Sequence, residues 1–204
     1  MYVPKAFEEQ DRETLYAVIR DNSFGLLVGT VDGTPFATHL PFLLEGDTLV
    51  AHMARANPHW RAFAAGVEVL TIFQGPHAYV SPSWYAPGPL VPSWNYVAVH
   101  AYGVPQIVED PDRIHGMLER LVATNEAWLE KPWSLDSLDR DLVRGMLRGI
   151  VGFEIPIARI EGKFKLSQNR RPEDRVGVIQ ALQASQDPSV RAVAALMAAR
   201  ETDD

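Results

Sequence analysis

The sequence predicts an α+β fold, mainly antiparallel β, with a barrel core and peripheral helices. Three observations carry this. β-like runs separated by tight-turn residues fill the first half of the chain. Most of the helical periodicity comes after them, and one Asx-Pro start signal recurs ahead of helical stretches.

In chain order, Asp11 to Arg20 reads as a short helix with Leu15, Val18 and Ile19 at helical spacing. The period then changes: Phe24 to Val31, Pro35 to Leu44 and Thr48 to Ala54 are β-like runs. Asp32-Gly33 and Glu45-Gly46-Asp47 separate them as hairpin turns would. Asn57-Pro58 pairs an N-cap with a proline at the first helical position, so a helix is expected through His59, Trp60, Phe63 and Ala64. Asp110-Pro111 and Asp187-Pro188 repeat the device. Val67 to Gln74 reads as a strand. Gly75 to Pro92 holds five prolines and two glycines and reads as a long ordered loop, a type that is often functional. Ser93 to Val108 is a long strand broken at Pro105, and helices are expected over Pro111 to Trp128 and Leu138 to Arg148. Ile150 to Ile160 returns to strand, where Pro156 implies an edge or a bulge. Pro172 to Arg200 reads as two amphipathic helices, with Val176, Ile179 and Leu182, then Val190, Val193 and Met197, on their apolar faces. The expected division is a barrel domain with inserted helices over 1–171 and a C-terminal helical extension over 172–204.

The 204 residues are 47% hydrophobic and 22% charged, ordinary values for a soluble globular chain that can bury a substantial core. A net charge of −7 argues against broad, sequence-independent nucleic-acid binding, which needs many neutralised phosphates. It leaves room for a local basic patch. Without cysteine there is no disulfide, thiolate metal site or cysteine nucleophile. Met1-Tyr2-Val3-Pro4-Lys5 lacks the plan of a signal peptide and no apolar run reaches membrane-span length, so a cytoplasmic protein is expected.

Several chemistries lack support. His39, His52, His59, His77 and His100 lie in or beside β-like segments, but no H-x-H, H-E-x-x-H or histidine-plus-carboxylate spacing accompanies them, so no metal is expected. Ser81, Ser83, Ser93 and Ser167 lack a G-x-S-x-G elbow. Neither G-x-G-x-x-G nor a Walker loop is present.

Two features point to an anionic, flat ligand. Glu161 to Arg171 sets Lys163, Lys165, Arg170 and Arg171 around Ser167, Gln168 and Asn169, a mixture that suits a phosphate and equally a solvated turn. Trp60, Phe73, Tyr79, Trp84, Tyr85, Trp94, Tyr96 and Tyr102 offer ring faces in the middle of the chain, and core packing explains most of them as well. The helix start at Asn57-Pro58, near Arg55 and Arg61, is a second place where a phosphate could sit.

Five ordered blocks together resemble the PaiB-type family of FMN-binding negative transcriptional regulators. They are Ala37-Thr38-His39-Leu40-Pro41-Phe42-Leu43, His52-Met53-Ala54-Arg55-Ala56-Asn57-Pro58-His59-Trp60, Phe73 to Tyr85, Val91 to Tyr96, and Glu161 to Asn169, with Met1-Tyr2-Val3-Pro4 and Phe7 resembling the family's opening. The resemblance implies a split β-barrel of the pyridoxamine-phosphate-oxidase type, assembled as a homodimer with FMN at the subunit interface. It implies that Thr38, His39 and Leu40 lie against the isoalloxazine, and that His52, Met53, Ala54, Asn57, His59 and Trp60 lie near the phosphate. Trp94, Asn95, Tyr96, Lys165, Ser167 and Gln168 of the partner would close the site. The oxidases carry an arginine on the first strand and a Ser-Arg-Lys run at the phosphate, where this chain has Ala37 and Arg55-Ala56-Asn57. A regulator would present Arg159, Lys163, Arg170, Arg171 and Arg175 to DNA. The alternatives are an FMN-dependent oxidoreductase or flavin reductase acting on a small molecule, or a haem-binding split barrel with histidine axial ligands.

Overall fold

The structure is a computed structural model describing residues 1–200; the last residues of the expected C-terminal extension, 201–204, lie outside the described residues. It is a mixture of helices and mostly antiparallel sheet, as the sequence predicts. The strands are β1 (Glu8–Glu9), β2 (Phe24–Val31), β3 (Thr34–Pro41), β4 (Leu43–Glu45), β5 (Thr48–Ala54), β6 (Val69–Val80), β7 (Ser93–Gly103), β8 (Gln106–Val108), β9 (Ile150–Pro156) and β10 (Arg159–Lys165). The α-helices are α1 (Arg12–Asp21), α2 (Pro111–Glu126), α3 (Arg140–Leu147), α4 (Pro172–Gln183) and α5 (Pro188–Ala199). The chain forms two compact units.

The first unit contains Met1–Asp21, Gln74–Val99 and the chain from Glu161 onward. Here β1, β10, β7 and the last part of β6 lie side by side in that order. Glu8 and Glu9 pair with Lys163 and Gly162. α1 lies directly on β10: a Cβ on Gly162 would meet Leu15 Cδ2 at 2.1 Å, so only glycine allows this approach. Leu15, Ile19, Val80, Val97, Phe164 and Leu166 fill the core. α4 and α5 pack on each other through Val178, Leu182, Val193 and Met197.

The second unit contains Asn22–Phe73 and His100–Ile160. β2 pairs with β3 through a two-residue turn in which Asp32 (φ 51°) and Gly33 (φ 76°) are both left-handed, as a type I′ hairpin requires. β2 also pairs with β6, which leaves β3 at an edge. A separate sheet runs β4-β5-β9-β8. α2 and α3 cover it through Ile114, Met117, Val143 and Leu147, clustered around Val50 and Val108 of the sheet. Phe42, Phe73, Phe63 and Phe153 fill the interior, packed edge-on or tilted in pairs with centroids 5.6 Å and 5.1 Å apart.

All three Asx-Pro signals start helices, with the Asn57, Asp110 and Asp187 side chains accepting from the N–H groups of His59, Asp112 and Ser189. The helix after Asn57, Pro58–Ala65, is 3₁₀ rather than α. Four expectations are corrected. The run Pro35 to Leu44 breaks at Phe42, whose N–H turns to the Ser23 carbonyl while its ring enters the core. The Gly75 to Pro92 loop is shorter, because β6 continues to Val80. Gly75 serves there as a place of close strand approach, its Cβ position only 3.0 Å from Val97 Cβ. Pro156 ends an interior strand opposite Thr48, since β9 lies between β5 and β8. Glu161 to Lys165 is not a turn but most of β10, with Gly162, Phe164 and Leu166 buried.

Candidate functional site

The expected site residues fall into two groups, one in each unit, and each is built by different elements. In the second unit, β3 presents Ala37 and His39 to solvent and turns Thr38 inward. The 3₁₀ helix Pro58–Ala65 brings His59 beneath it. Thr38 Oγ1 accepts from Asn57 Nδ2 at 3.2 Å and shares a proton with His59 Nδ1 at 2.9 Å. Asn57 also caps the helix through His59 N–H at 3.0 Å. His59 is fully buried between Phe36 and Phe63, and its Nε2 has no hydrogen-bond partner among the described residues. That nitrogen faces Gly29, where a Cβ would come within 2.6 Å. Burial lowers the His59 pKa, so the ring is held neutral.

The remaining residues of this group are spread around it. His39 stacks on exposed Phe24 at 6.1 Å, and Leu40 is buried. On β5, Met53 is core and Ala54 exposed, while half-buried His52 has its pKa lowered by desolvation. Trp60 donates from its indole N–H to the Arg55 carbonyl at 2.9 Å, with the Arg55 and Arg61 guanidinium groups near its ring. Arg55 binds the Arg148 and Ile150 carbonyls at 2.9 and 2.8 Å, a structural use that leaves Arg61 as the exposed cation beside the cap.

In the first unit, the end of β10 turns at Ser167, a left-handed residue with φ 65°. Gln168 closes this turn by accepting from Leu166 N–H at 2.7 Å and donating to the Phe164 carbonyl. Both ends of its amide are therefore engaged by backbone. Buried Asn95 donates to Ser167 Oγ at 2.9 Å and to Met197 Sδ at 3.3 Å. Lys165 reaches Ser93 Oγ and the Trp94 carbonyl. Burial, then Lys163 and Arg170, lower its pKa. Trp94 is 53% exposed and meets Tyr79 edge-on and His77 at a tilt, an exposed ring cluster that includes His77, a residue outside the expected site set. Tyr96 lies against the Lys163 ammonium.

Among the basic residues expected to face DNA, Lys163 is buried and donates to the Tyr2 carbonyl at 3.1 Å. Arg171 pairs with Asp174 and Glu173, Arg170 lies over Tyr85, and Arg159 lies 3.5 Å above Tyr102 and pairs with Glu68. Asp174 is buried at the start of α4. Burial alone would raise its pKa, but the Ala86 N–H at 2.8 Å and the Arg171 guanidinium hold it below the usual carboxylate range. Sequence reasoning missed this anchor. Its signal was an acidic residue in the first turn after Pro172, at a helix start without an Asx cap.

A mixed, mostly antiparallel sheet with these polar strand edges and flanking helices is the fold of the split-barrel flavin-binding proteins. The family model described as "Putative FMN-binding domain" matches residues 1–159, and the chain belongs to that family, whose cofactor is FMN. The "Protease synthase and sporulation protein PAI 2" of Bacillus subtilis (strain 168) is 41% identical over 201 residues, covering 97% of this chain and 96% of that protein. Among solved structures, the flavocytochrome Anf3 from Azotobacter vinelandii aligns with a TM-score of 0.63 at 17% identity, over 86% of this chain and 78% of that one. The FAD and heme binding protein from Mycobacterium smegmatis aligns with a TM-score of 0.62 at 18% identity, over 83% and 78%. At these identities the two structures share the fold. No helix among the described residues is long and apolar enough to cross a membrane.

Proposed function

We propose that the protein is an FMN-binding transcriptional regulator that holds its flavin at the interface of a homodimer. The observation that carries the reading is the Asn57-Thr38-His59 hydrogen-bond chain behind the exposed edge strand β3. The donor set fits FMN. Thr38, Leu40 and the unpaired edge of β3 offer hydroxyl and backbone groups to a flavin ring. The capped 3₁₀ start at Asn57 and exposed Arg61 suit its phosphate. The partner protomer would contribute Trp94, Tyr96 and Lys165, with buried Asn95 bracing Ser167. Ser167 and Gln168 shape the turn that carries this group. Bound FMN supplies one- and two-electron redox chemistry; the protein's part is to position it and exclude water. A regulatory role is supported by the 41% identity to PAI 2.

The spectrum and mass of the ligand released from purified protein test the cofactor directly: a flavin spectrum with the mass of FMN is expected, and a Soret band would replace this reading with a haem one. Lys165 gives a sharper test. Only its ammonium form attracts a phosphate, so FMN affinity should be highest where Lys165 is protonated and decline as pH rises through its lowered pKa. Lys165→Met should weaken FMN binding by at least about tenfold at neutral pH, the loss of one charge-assisted bond. Lys165→Arg should flatten the alkaline decline. Unchanged affinity in Lys165→Met, by flavin-fluorescence titration, removes the residue from the site.

A flavoenzyme is the second reading, favoured by the exposed Trp94, Tyr79 and His77 rings, which could receive a second planar molecule. Steady NADH or NADPH oxidation by the FMN-loaded protein would support it.

A further inference from the structure

In an acidic protein, arginines have carboxylates to spare, and many of those in this chain use them. Arg20 pairs with Glu13, Arg113 with Glu154, Arg120 with Glu45, Arg159 with Glu68 and Arg200 with Glu9. α3 gathers arginines that do so weakly or not at all. Arg140, Arg144 and Arg148 recur every fourth residue, which places them on one face, one above another on successive turns. All three are exposed. Arg140 and Arg148 have no carboxylate within 4.0 Å among the described residues, and Arg144 has only Asp141 at 3.9 Å. From this arrangement we infer that α3 is a nucleic-acid-binding face, in which the three guanidinium groups take successive phosphates of a duplex backbone. The inference rests on the regulator reading above and assigns its DNA contact to α3 rather than to Arg159, Lys163, Arg170, Arg171 and Arg175.

The geometry favours a polymer over a small anion. Three side chains in a row span about 12 Å along the helix, at 1.5 Å per residue, whereas one phosphate is best held by converging groups. Duplex DNA presents such a row, with one negative charge per about 1.7 Å of axis. α3 is also rigidly supported, because Val143 and Leu147 are buried against α2 and the β4-β5-β9-β8 sheet. That same burial argues against a bilayer as the partner: the apolar stripe that would enter lipid already faces the core, leaving only Leu142 and Met146 exposed. Asp112, Glu119 and Asp136 line the cleft of about 500 Å³ between α2 and α3, together with Arg140 and Arg144. Those carboxylates, with the net charge of −7, predict modest and strongly salt-dependent binding.

The test is fluorescence anisotropy of a labelled mixed-sequence DNA duplex with the full-length, FMN-loaded protein over a salt series. The variants are Arg140→Gln/Arg144→Gln/Arg148→Gln and, separately, Arg170→Gln/Arg171→Gln. Circular dichroism and retained flavin absorbance confirm that each variant is folded. The expected result is salt-sensitive binding by the parent protein. The α3 variant should lose at least about tenfold in affinity, with the slope of log K against log salt reduced by up to about 3 units. The Arg170/Arg171 variant should bind like the parent. Parent binding that survives in the α3 variant but is lost in the other overturns the inference and leaves the regulator reading standing. No binding by the parent at low salt overturns both the inference and direct DNA recognition. Binding of α3 to anionic phosphatidylserine vesicles in co-sedimentation, without DNA binding, overturns the nucleic-acid assignment.

Discussion

His59→Ala is expected to lower the unfolding free energy by about 2–4 kcal/mol, the range for emptying a fully buried ring site. It should also weaken FMN binding by at least about tenfold, since one lost buried hydrogen bond is worth that much. The two effects have one origin. His59 fills the space between Phe36, Phe63 and Gly29, and its Nδ1 fixes the Thr38 hydroxyl. Without the ring, Thr38 and Asn57 remain but nothing sets the direction of the Oγ1 proton. The pH dependence follows from the lowered pKa. As pH falls through the ordinary histidine range, the unfolded chain gains a proton that folded His59 refuses. Stability therefore declines until the folded pKa is reached. His52 acts with the same sign. Urea unfolding across the acidic range, with flavin titration at neutral pH, checks both parts. A variant that keeps FMN affinity while losing stability would separate His59 from the cofactor.

Gly177→Ala should cost about 1–3 kcal/mol and lower the melting temperature by about 2–12 °C. In an exposed helix the same change would stabilise by up to about 1 kcal/mol. Here the added Cβ would lie 2.2 Å from the Trp84 backbone carbonyl, and a backbone atom cannot swing aside as a side chain can. α4 would have to lift from the 3₁₀ turn Pro82–Trp84, and the bond between Asp174 and the Ala86 N–H lies on that same contact. Gly116→Ala in α2 is the internal comparison: its Cβ meets only the flexible end of Arg120 at 3.2 Å, so it should be neutral or stabilising. Equal thermal shifts for the two variants would reject the close approach of α4.

The legible parts of this fold are those written in local chemistry. Asn57, Asp110 and Asp187 start helices because each needs only its own side chain and the next two residues, and Asp32-Gly33 specifies a hairpin through its left-handed preference. What escaped was set at long range. Gly75-Pro76 suggests a turn until Val97 is seen to require a bare backbone at that point. In β10, Lys163 and Lys165 suggest a phosphate cluster or equally a solvated turn, although the alternation of Glu161, Lys163 and Lys165 with Gly162, Phe164 and Leu166 is a strand pattern. The burial of Lys163 beneath Tyr2 and Tyr96 depends on residues far away in sequence. For the candidate site, the blocks around Thr38 and Asn57 were legible as a group, and the structure joins them. The commitment of Gln168 and Arg55 to backbone groups was not, because nothing local distinguishes such a side chain from a ligand-binding one.

Arg55 carries one more consequence. Its guanidinium satisfies the carbonyl of Arg148, the C-cap of α3, and that of Ile150, the first residue of β9. The last turn of α3 is thus capped by a residue from the end of β5, almost a hundred positions away in sequence. Helix ends ordinarily fray first in hydrogen exchange. Here the amides around Arg148 and those of β5 and β9 should exchange together, as one opening unit, and Arg55→Ala should uncouple them.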